Sequence, residues 1–265
     1  HLVLEVGTDA SAALPQPSAE PGPLSPIAIV GMDAVFGGCR TLEAFGRSIY
    51  RGIQHIEPLP AKRWKGLEEN QPLLESFGLQ NGKAPEGAYI KDLDIDFLNI
   101  KTPPGETDQL IPQQLLMLNT ADRAVRDSGL GPGGKVGVIV AMGSELAIHA
   151  YLGRCDLTWQ IREGLEKAGI SLSPEQIAEL ETIAKDSLYG RAHVNQYTSF
   201  IGNIMAGRIA ALWDFSGPAF TLSAEEASVP RALEIAQMLL ADGEVDAMVV
   251  GAVDLAGGPE HVLFR

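Results

Sequence analysis

Apolar positions along the chain alternate between unbroken runs and helical spacing. Ile27-Ala-Ile-Val30 is a continuous apolar run closed by Gly31, and Lys135 to Met142 (KVGVIVAM) is a longer one. Runs of this kind suit strands buried on both faces of a parallel or mixed sheet. Ala219-Phe-Thr-Leu222 and Val245 to Gly251 read as two more strands. Between these runs the period becomes helical. Leu42, Phe45 and Ile49 share one face after Thr41, a residue type that caps helices. Leu115, Leu118, Ala121, Ala124 and Val125 share another face. Their helix is predicted from Pro112 to about Ser128, with Pro in a favoured first-turn position and Gly129 as its stop. Further helices are predicted over 201–212 and 230–241, and residues 66–107 read as irregular.

The order strand–helix–strand–helices–strand–helix–strand indicates an α/β fold. Glycine is plentiful, at 29 residues, and aromatics make up only 6%, which favours this class over a β-sandwich. Residues 7–26 hold five prolines and few apolar side chains, the composition of a semi-extended linker. Residues 1–6 are therefore expected to belong to an upstream unit, and residues 27–265 to one globular unit. Residues 151–191 read as two amphipathic helices inserted into it, over Trp159–Lys167 and Pro174–Leu188. There is no internal repeat.

Composition narrows the function classes. The formal net charge of −14, from 34 acids and 20 bases, opposes nucleic-acid binding, which needs a basic face, and adsorption to anionic membranes. No apolar run reaches the length of a membrane span. Cys39 and Cys155 lie far apart and form no CxxC pair, so neither a disulfide framework nor a zinc site is indicated. A reducing, cytoplasmic setting is the expectation. The first residue is His1 and no leader pattern follows, so a piece of a longer polypeptide is expected.

Several motifs resolve to plain readings. Gly31, Gly37 and Gly38 lack G-x-G-x-x-G spacing, and no G-x-x-x-x-G-K-[ST] occurs. The five histidines lack metal-ligand spacing, so no metal is expected. Ser144 follows a strand without a G-x-S-x-G elbow and reads as a turn. Lys62-Arg63-Trp64-Lys65 is a small basic patch, either solvated or a docking point for an acidic partner.

The informative stretch is Pro218-Ala-Phe-Thr-Leu-Ser-Ala-Glu-Glu-Ala-Ser-Val-Pro-Arg-Ala-Leu233, a strand running directly into a helix N-terminus. Backbone N–H groups converge there and favour negative charge, which is why enzymes place nucleophilic thiolates at such elbows. Here the turn reads Ser223-Ala-Glu225-Glu226. Its structural reading is a capping box, Ser223-x-x-Glu226. Its functional reading is a carboxylate standing where a nucleophile would sit.

From Pro26 onward the sequence resembles the β-ketoacyl synthases of polyketide and fatty-acid synthesis. Pro26-Ile-Ala-Ile-Val-Gly-Met32 resembles the family's opening strand, and Phe36-Gly-Gly-Cys-Arg-Thr-Leu-Glu-Ala-Phe45 its following loop and helix. Ile56 to Trp64 resembles a "PxxRW" segment and Asp108 to Leu116 resembles "MDPQQRLLL". Gly202 to Arg208 and Asp214 to Ala219 resemble the approach to the active-site strand, and Gly243 to Val253 the strand after the elbow helix. The family pattern "DTACSSS" falls on Ser223 to Val229, which places Glu226 at its acyl-accepting cysteine, with Glu225 and Ser228 beside it.

The resemblance implies a thiolase-like fold, of which this chain is the N-terminal half: a five-stranded mixed sheet with helices on both faces. The family's catalytic histidines would belong to the missing C-terminal half. Lacking the cysteine, the domain resembles a chain-length factor, as in polyunsaturated fatty acid synthases. His1-Leu-Val-Leu-Glu5 resembles the usual end of a ketosynthase domain. The implied partners are that upstream ketosynthase, an acyl carrier protein and the C-terminal half-domain. The dimer strand would be Ala219, Phe220, Thr221 and Leu222. Leu146 and Ile148 are candidates for lining the pocket, and Lys62, Arg63 and Lys65 for docking a carrier. No bound cofactor is implied; acyl chains would arrive on phosphopantetheine. Two other readings stand beside this one: a malonyl decarboxylase using Glu226, and a carrier-docking module.

Overall fold

The structure, a computed structural model, describes residues 26–64, 66–79, 86–93, 95, 97, 98, 100, 110–143, 148–189, 198–255 and 258. The expected boundaries at residues 6 and 26 fall outside or at the edge of this range.

Helix α1 (Leu42–Arg51) begins where its cap predicts, with the Thr41 hydroxyl oxygen accepting the Ala44 N–H at 3.2 Å. It ends at Gly52, whose φ of 66° is the left-handed conformation glycine adopts without penalty. The segment read as irregular carries small elements, a short helix α2 (Gln71–Ser76) and a two-residue strand β2 (Glu86–Gly87) that pairs with β1 (Glu57–Pro58) just upstream of the segment. Leu59, Trp64, Leu74 and Tyr89 form a small separate core there.

The main core is built around helix α3 (Pro112–Ser128) and strand β3 (Val136–Met142). All seven residues of β3 are buried, as its unbroken apolar run requires. It lies between β4 (Ala219–Leu222) and β5 (Ala247–Val253), pairing parallel with both, in the order β4-β3-β5. On one face Val136, Val138, Val140 and Met142 pack with α3 and with α6 (Gly202–Trp213). On the other, Ile139 and Ala141 meet Ala232 and Ala236 of α7 (Ser228–Ala241). Alanines on α7 let that helix lie close to the sheet. Side chains from both faces of β3 thus carry the core, and trimming one such residue to alanine costs about 2–5 kcal/mol.

Residues 148–189 form a helical hairpin, whose first helix starts well before the Trp159 that the pattern predicts. Helices α4 (Ile148–Lys167) and α5 (Pro174–Tyr189) are joined by Arg154 to Asp186 at 2.7 Å and Arg162 to Glu181 at 2.9 Å. Ser173 and Gln176 cap α5 reciprocally: the Ser173 oxygen accepts the Gln176 N–H at 3.3 Å, and the Gln176 side chain accepts the Ser173 N–H at 2.9 Å.

One expected strand is absent. Ile27–Val30 forms no ladder, and Ile29 and Val30 are 73% and 64% exposed. The anchor lies just downstream. A Cβ on Gly31 would come within 2.5 Å of the Ala124 carbonyl, so only glycine lets the chain approach α3 so closely. The Met32 N–H donates to the Asp127 carboxylate at 3.0 Å, and Arg123 pairs with Asp33 at 2.7 Å. These contacts hold residues 31–33 on a helix, which leaves the apolar run before them beside no strand edge. The described sheet therefore has three parallel strands, where five in a mixed sheet were expected.

Candidate functional site

Strand β4 ends at Leu222. The chain then makes a single 3₁₀ turn, Glu225–Ala227, and enters α7 at Ser228. The turn is held by Ser228, which is buried. Its hydroxyl oxygen accepts the Ala224 N–H at 2.8 Å and its hydroxyl donates to the Glu225 carbonyl at 2.7 Å. The predicted capping box therefore does not form. Among the described residues no side chain caps the turn or α7 from the N-cap position, and Ser228 instead ties the turn to the chain just before it. Sequence spacing alone favoured Ser223. The tighter 3₁₀ turn moves the chain so that Ser228 reaches back instead.

The backbone is strained at this point. Glu225 has a φ of 50°, a left-handed conformation that costs a residue with a Cβ about 1 kcal/mol or more. The carboxylates of Glu225 and Glu226 are both exposed, and among the described residues neither forms an ion pair. The two carboxylates stand at the elbow pointing to solvent. Of the two cysteines, Cys39 is buried beside α1, and Cys155 is exposed on α4.

Beside the elbow, β4 is the outer strand of the sheet among the described residues and is half-buried along its length. The Val138 N–H donates to the Pro218 carbonyl, which fixes the ladder phase and turns the backbone groups of Ala219 and Thr221 away from β3. Asn203, at the start of α6, covers part of that edge. Its Oδ1 accepts both the Thr221 N–H and the Thr221 hydroxyl, each at 2.9 Å. Gly202 makes the approach possible, since a Cβ there would lie 3.1 Å from the Thr221 hydroxyl oxygen. The sequence reading missed Asn203; a Gly-Asn pair opening a helix just before the elbow strand was its only signal.

The remaining candidates separate. Arg63 turns inward, donating to the Ile90 carbonyl and standing 5.6 Å over the Tyr89 ring, while Lys62 is exposed. Burial pushes the Tyr89 phenol above its usual pKa, an effect that the Arg63 charge partly offsets. Arg63 thus serves the packing around Tyr89 rather than standing free beside Lys62. Ile148 is the first residue of α4. Leu146, Lys65 and Ser144 lie outside the described residues. Among the described residues, no group of three or more His, Cys, Asp or Glu is placed to hold a metal ion, and no helix is long and apolar enough to cross a membrane.

Residues 24–264 match the family model described as the β-ketoacyl synthase N-terminal domain. This chain belongs to the β-ketoacyl synthase family. A polyunsaturated fatty acid synthase polypeptide from Thraustochytrium sp. is 39% identical over 239 residues, which cover 90% of this chain and 11% of that one. A solved ketosynthase–chain length factor, PfaC, superposes with a TM-score of 0.81 at 49% identity, covering 91% of this chain and 25% of that one. A ketosynthase domain from the oxazolomycin system of Streptomyces albus, at 21% identity and a TM-score of 0.59, shares the fold. The thiolase-like ketosynthase fold is therefore that of this β-ketoacyl synthase domain. The chain spans a quarter or less of the first two relatives.

Proposed function

We propose that this β-ketoacyl synthase domain is a non-condensing partner within a multidomain synthase of the polyunsaturated fatty acid or polyketide type. In this reading it pairs with an active ketosynthase domain through the β4 edge and shapes the pocket for the growing acyl chain. The acyl chains would be carried on phosphopantetheine by an acyl carrier protein. The observation that carries the proposal is Glu226. It occupies the elbow position at which the resemblance places the acyl-accepting cysteine, and its carboxylate is exposed. A carboxylate cannot hold an acyl chain as a thioester, so the condensing step has no nucleophile here. The names of the Thraustochytrium synthase and of PfaC support the polyunsaturated fatty acid setting and the chain-length-factor role.

A malonyl decarboxylase would need enclosed donors aimed at a developing enolate. The exposed pair Glu225–Glu226 supplies acceptors in water, so no observation favours that reading. A carrier-docking role resting on Arg63 is also weakened, because that guanidinium is engaged within the fold.

The test is Glu226→Ala in the intact synthase, with assembly verified. Retained product yield, with chain length unchanged or shifted, is the expected result. Loss of product from a fully assembled complex would overturn the non-condensing reading.

A further inference from the structure

The hairpin of α4 and α5 has no core of its own. Among the described residues of 148–189 no side chain is buried, and none joins an apolar cluster of the domain. Leu157, Ile161, Leu165 and Ile177 are half-buried, while Leu180 and Ile183 are exposed, Ile183 at 55%. Helices in proteins are held mainly by burying an apolar face, and this pair leaves much of that face in water.

The ion pairs show which side is open. Arg162 and Glu181 meet at 2.9 Å and close one side of the hairpin. On α4, Gly153, Leu157, Gln160 and Gly164 recur at three- and four-residue spacing and are turned away from Arg162. On α5, Leu180 and Ile183 are likewise turned away from Glu181. The register set by Arg154–Asp186 and Arg162–Glu181 brings these two rows side by side, as a groove without a charged residue in its floor. A Cβ on Gly164 would meet nothing within 4 Å, so the fold itself has no need of glycine there. Glycine weakens a helix interior, and what it offers in return is the close approach of another backbone.

Charge selects the occupant. Residues 148–189 hold seven acids and four Lys or Arg. Three of those cations are engaged within the hairpin, in Arg154–Asp186 at 2.7 Å, Arg162–Glu181 at 2.9 Å and Lys167–Glu163 at 2.7 Å. Among the described residues Asp156, Glu166 and Glu179 form no ion pair. Asp156 stands four residues before Gln160, and Glu179 four before Ile183, so both border the groove. A second copy of the hairpin would bring the same acids against these. A helix whose apolar stripe is flanked by lysine or arginine satisfies both the floor and the rim.

We propose that the α4–α5 groove is a docking site for a basic amphipathic helix of another polypeptide. That helix packs as the third member of a bundle, on Leu157, Leu180 and Ile183, with its cations over Asp156 and Glu179.

The probe is a dye-labelled synthetic peptide with leucines at helical spacing among lysines, titrated into the full-length protein and read by fluorescence anisotropy. A peptide of the same composition with its leucines scattered is the reference, and it should bind about tenfold more weakly. Ile183→Asp should weaken binding of the amphipathic peptide by about tenfold. Gly164→Leu should do the same while leaving the helix intact, since its side chain enters open space. Reversing Asp156 and Glu179 together to lysine should cost about tenfold, whereas reversing the exposed Glu68 and Glu69, on a separate turn, should cost about twofold at most. Equal binding of the two peptides, or equal losses from the two double reversals, would overturn the proposal as mere attraction to an acidic protein. Unchanged binding in both Ile183→Asp and Gly164→Leu would also overturn it. So would self-association of the peptide-free protein that Ile183→Asp abolishes, because a second copy would then be the occupant.

Discussion

Asn203 takes both hydrogens that Thr221 presents, the backbone N–H and the hydroxyl, on a single side-chain oxygen at 2.9 Å each. One of the outward N–H groups of β4 is thereby held within the fold, so the partner strand proposed to pair along this edge does so without the Thr221 N–H. An open strand edge is a template for unwanted pairing, and a side chain that occupies one of its donors is a way of guarding it.

Asn203→Ala should therefore free the Thr221 N–H and loosen the edge. In the intact protein the expected outcome is a rise in self-association, read by light scattering across a concentration series. An unchanged mass distribution would show that the edge is protected by other means.

The elbow offers a pair of opposite outcomes. Ser228→Ala removes the bridge between the half-buried Ala224 N–H and the Glu225 carbonyl, a loss of about 1 kcal/mol. Glu225→Gly relieves the left-handed strain and should stabilise by up to about 1 kcal/mol. Urea unfolding followed by a probe in this domain distinguishes the two signs.

Gly31→Ala should be among the most damaging single-methyl additions in the domain. The added Cβ would meet backbone atoms of α3 at 2.5 Å, and backbone cannot swing aside as a side chain can. The expected cost is about 1–3 kcal/mol, seen as a lower thermal midpoint, with Gly46→Ala on α1 as a control in open space.

Tyr89 gives a prediction in pH. Its phenol is held above the ordinary value of 10.0, chiefly by burial. A raised folded value means that the neutral phenol stabilises the fold. That contribution is complete below about pH 10 and is lost as pH rises through the higher folded value. Phenolate absorbance in the parent, minus that of Tyr89→Phe, should show a late-titrating tyrosine. A Tyr89 that ionises at or below its ordinary value would contradict the burial of the Leu59–Trp64–Leu74–Tyr89 cluster.

What the sequence made legible depends on how local the cause is. Thr41, Pro112 and Gly129 act on their own neighbours, and the helices they bound start or stop where expected. The run 136–142 is apolar at nearly every position and could only be buried. Ile27–Val30 has the same local signature, yet its fate depends on a neighbouring strand edge that no local pattern encodes. The elbow shows the same division. The strand, turn and helix were readable, but the choice between Ser223 and Ser228 as the bridging hydroxyl depended on a 3₁₀ geometry set by the whole connection. Cys39, Ser48 and His55 come within 3.2, 2.9 and 3.3 Å of one another at spacings that match no motif, and so were not legible either.

Among the described residues, α4 and α5 pack chiefly against each other, with their own ion pairs and their own cap at Ser173. Such a hairpin is an architectural appendage. It can be lengthened, shortened or exchanged between related proteins with little effect on the sheet, and its amides should exchange with solvent as a separate unit from those of β3.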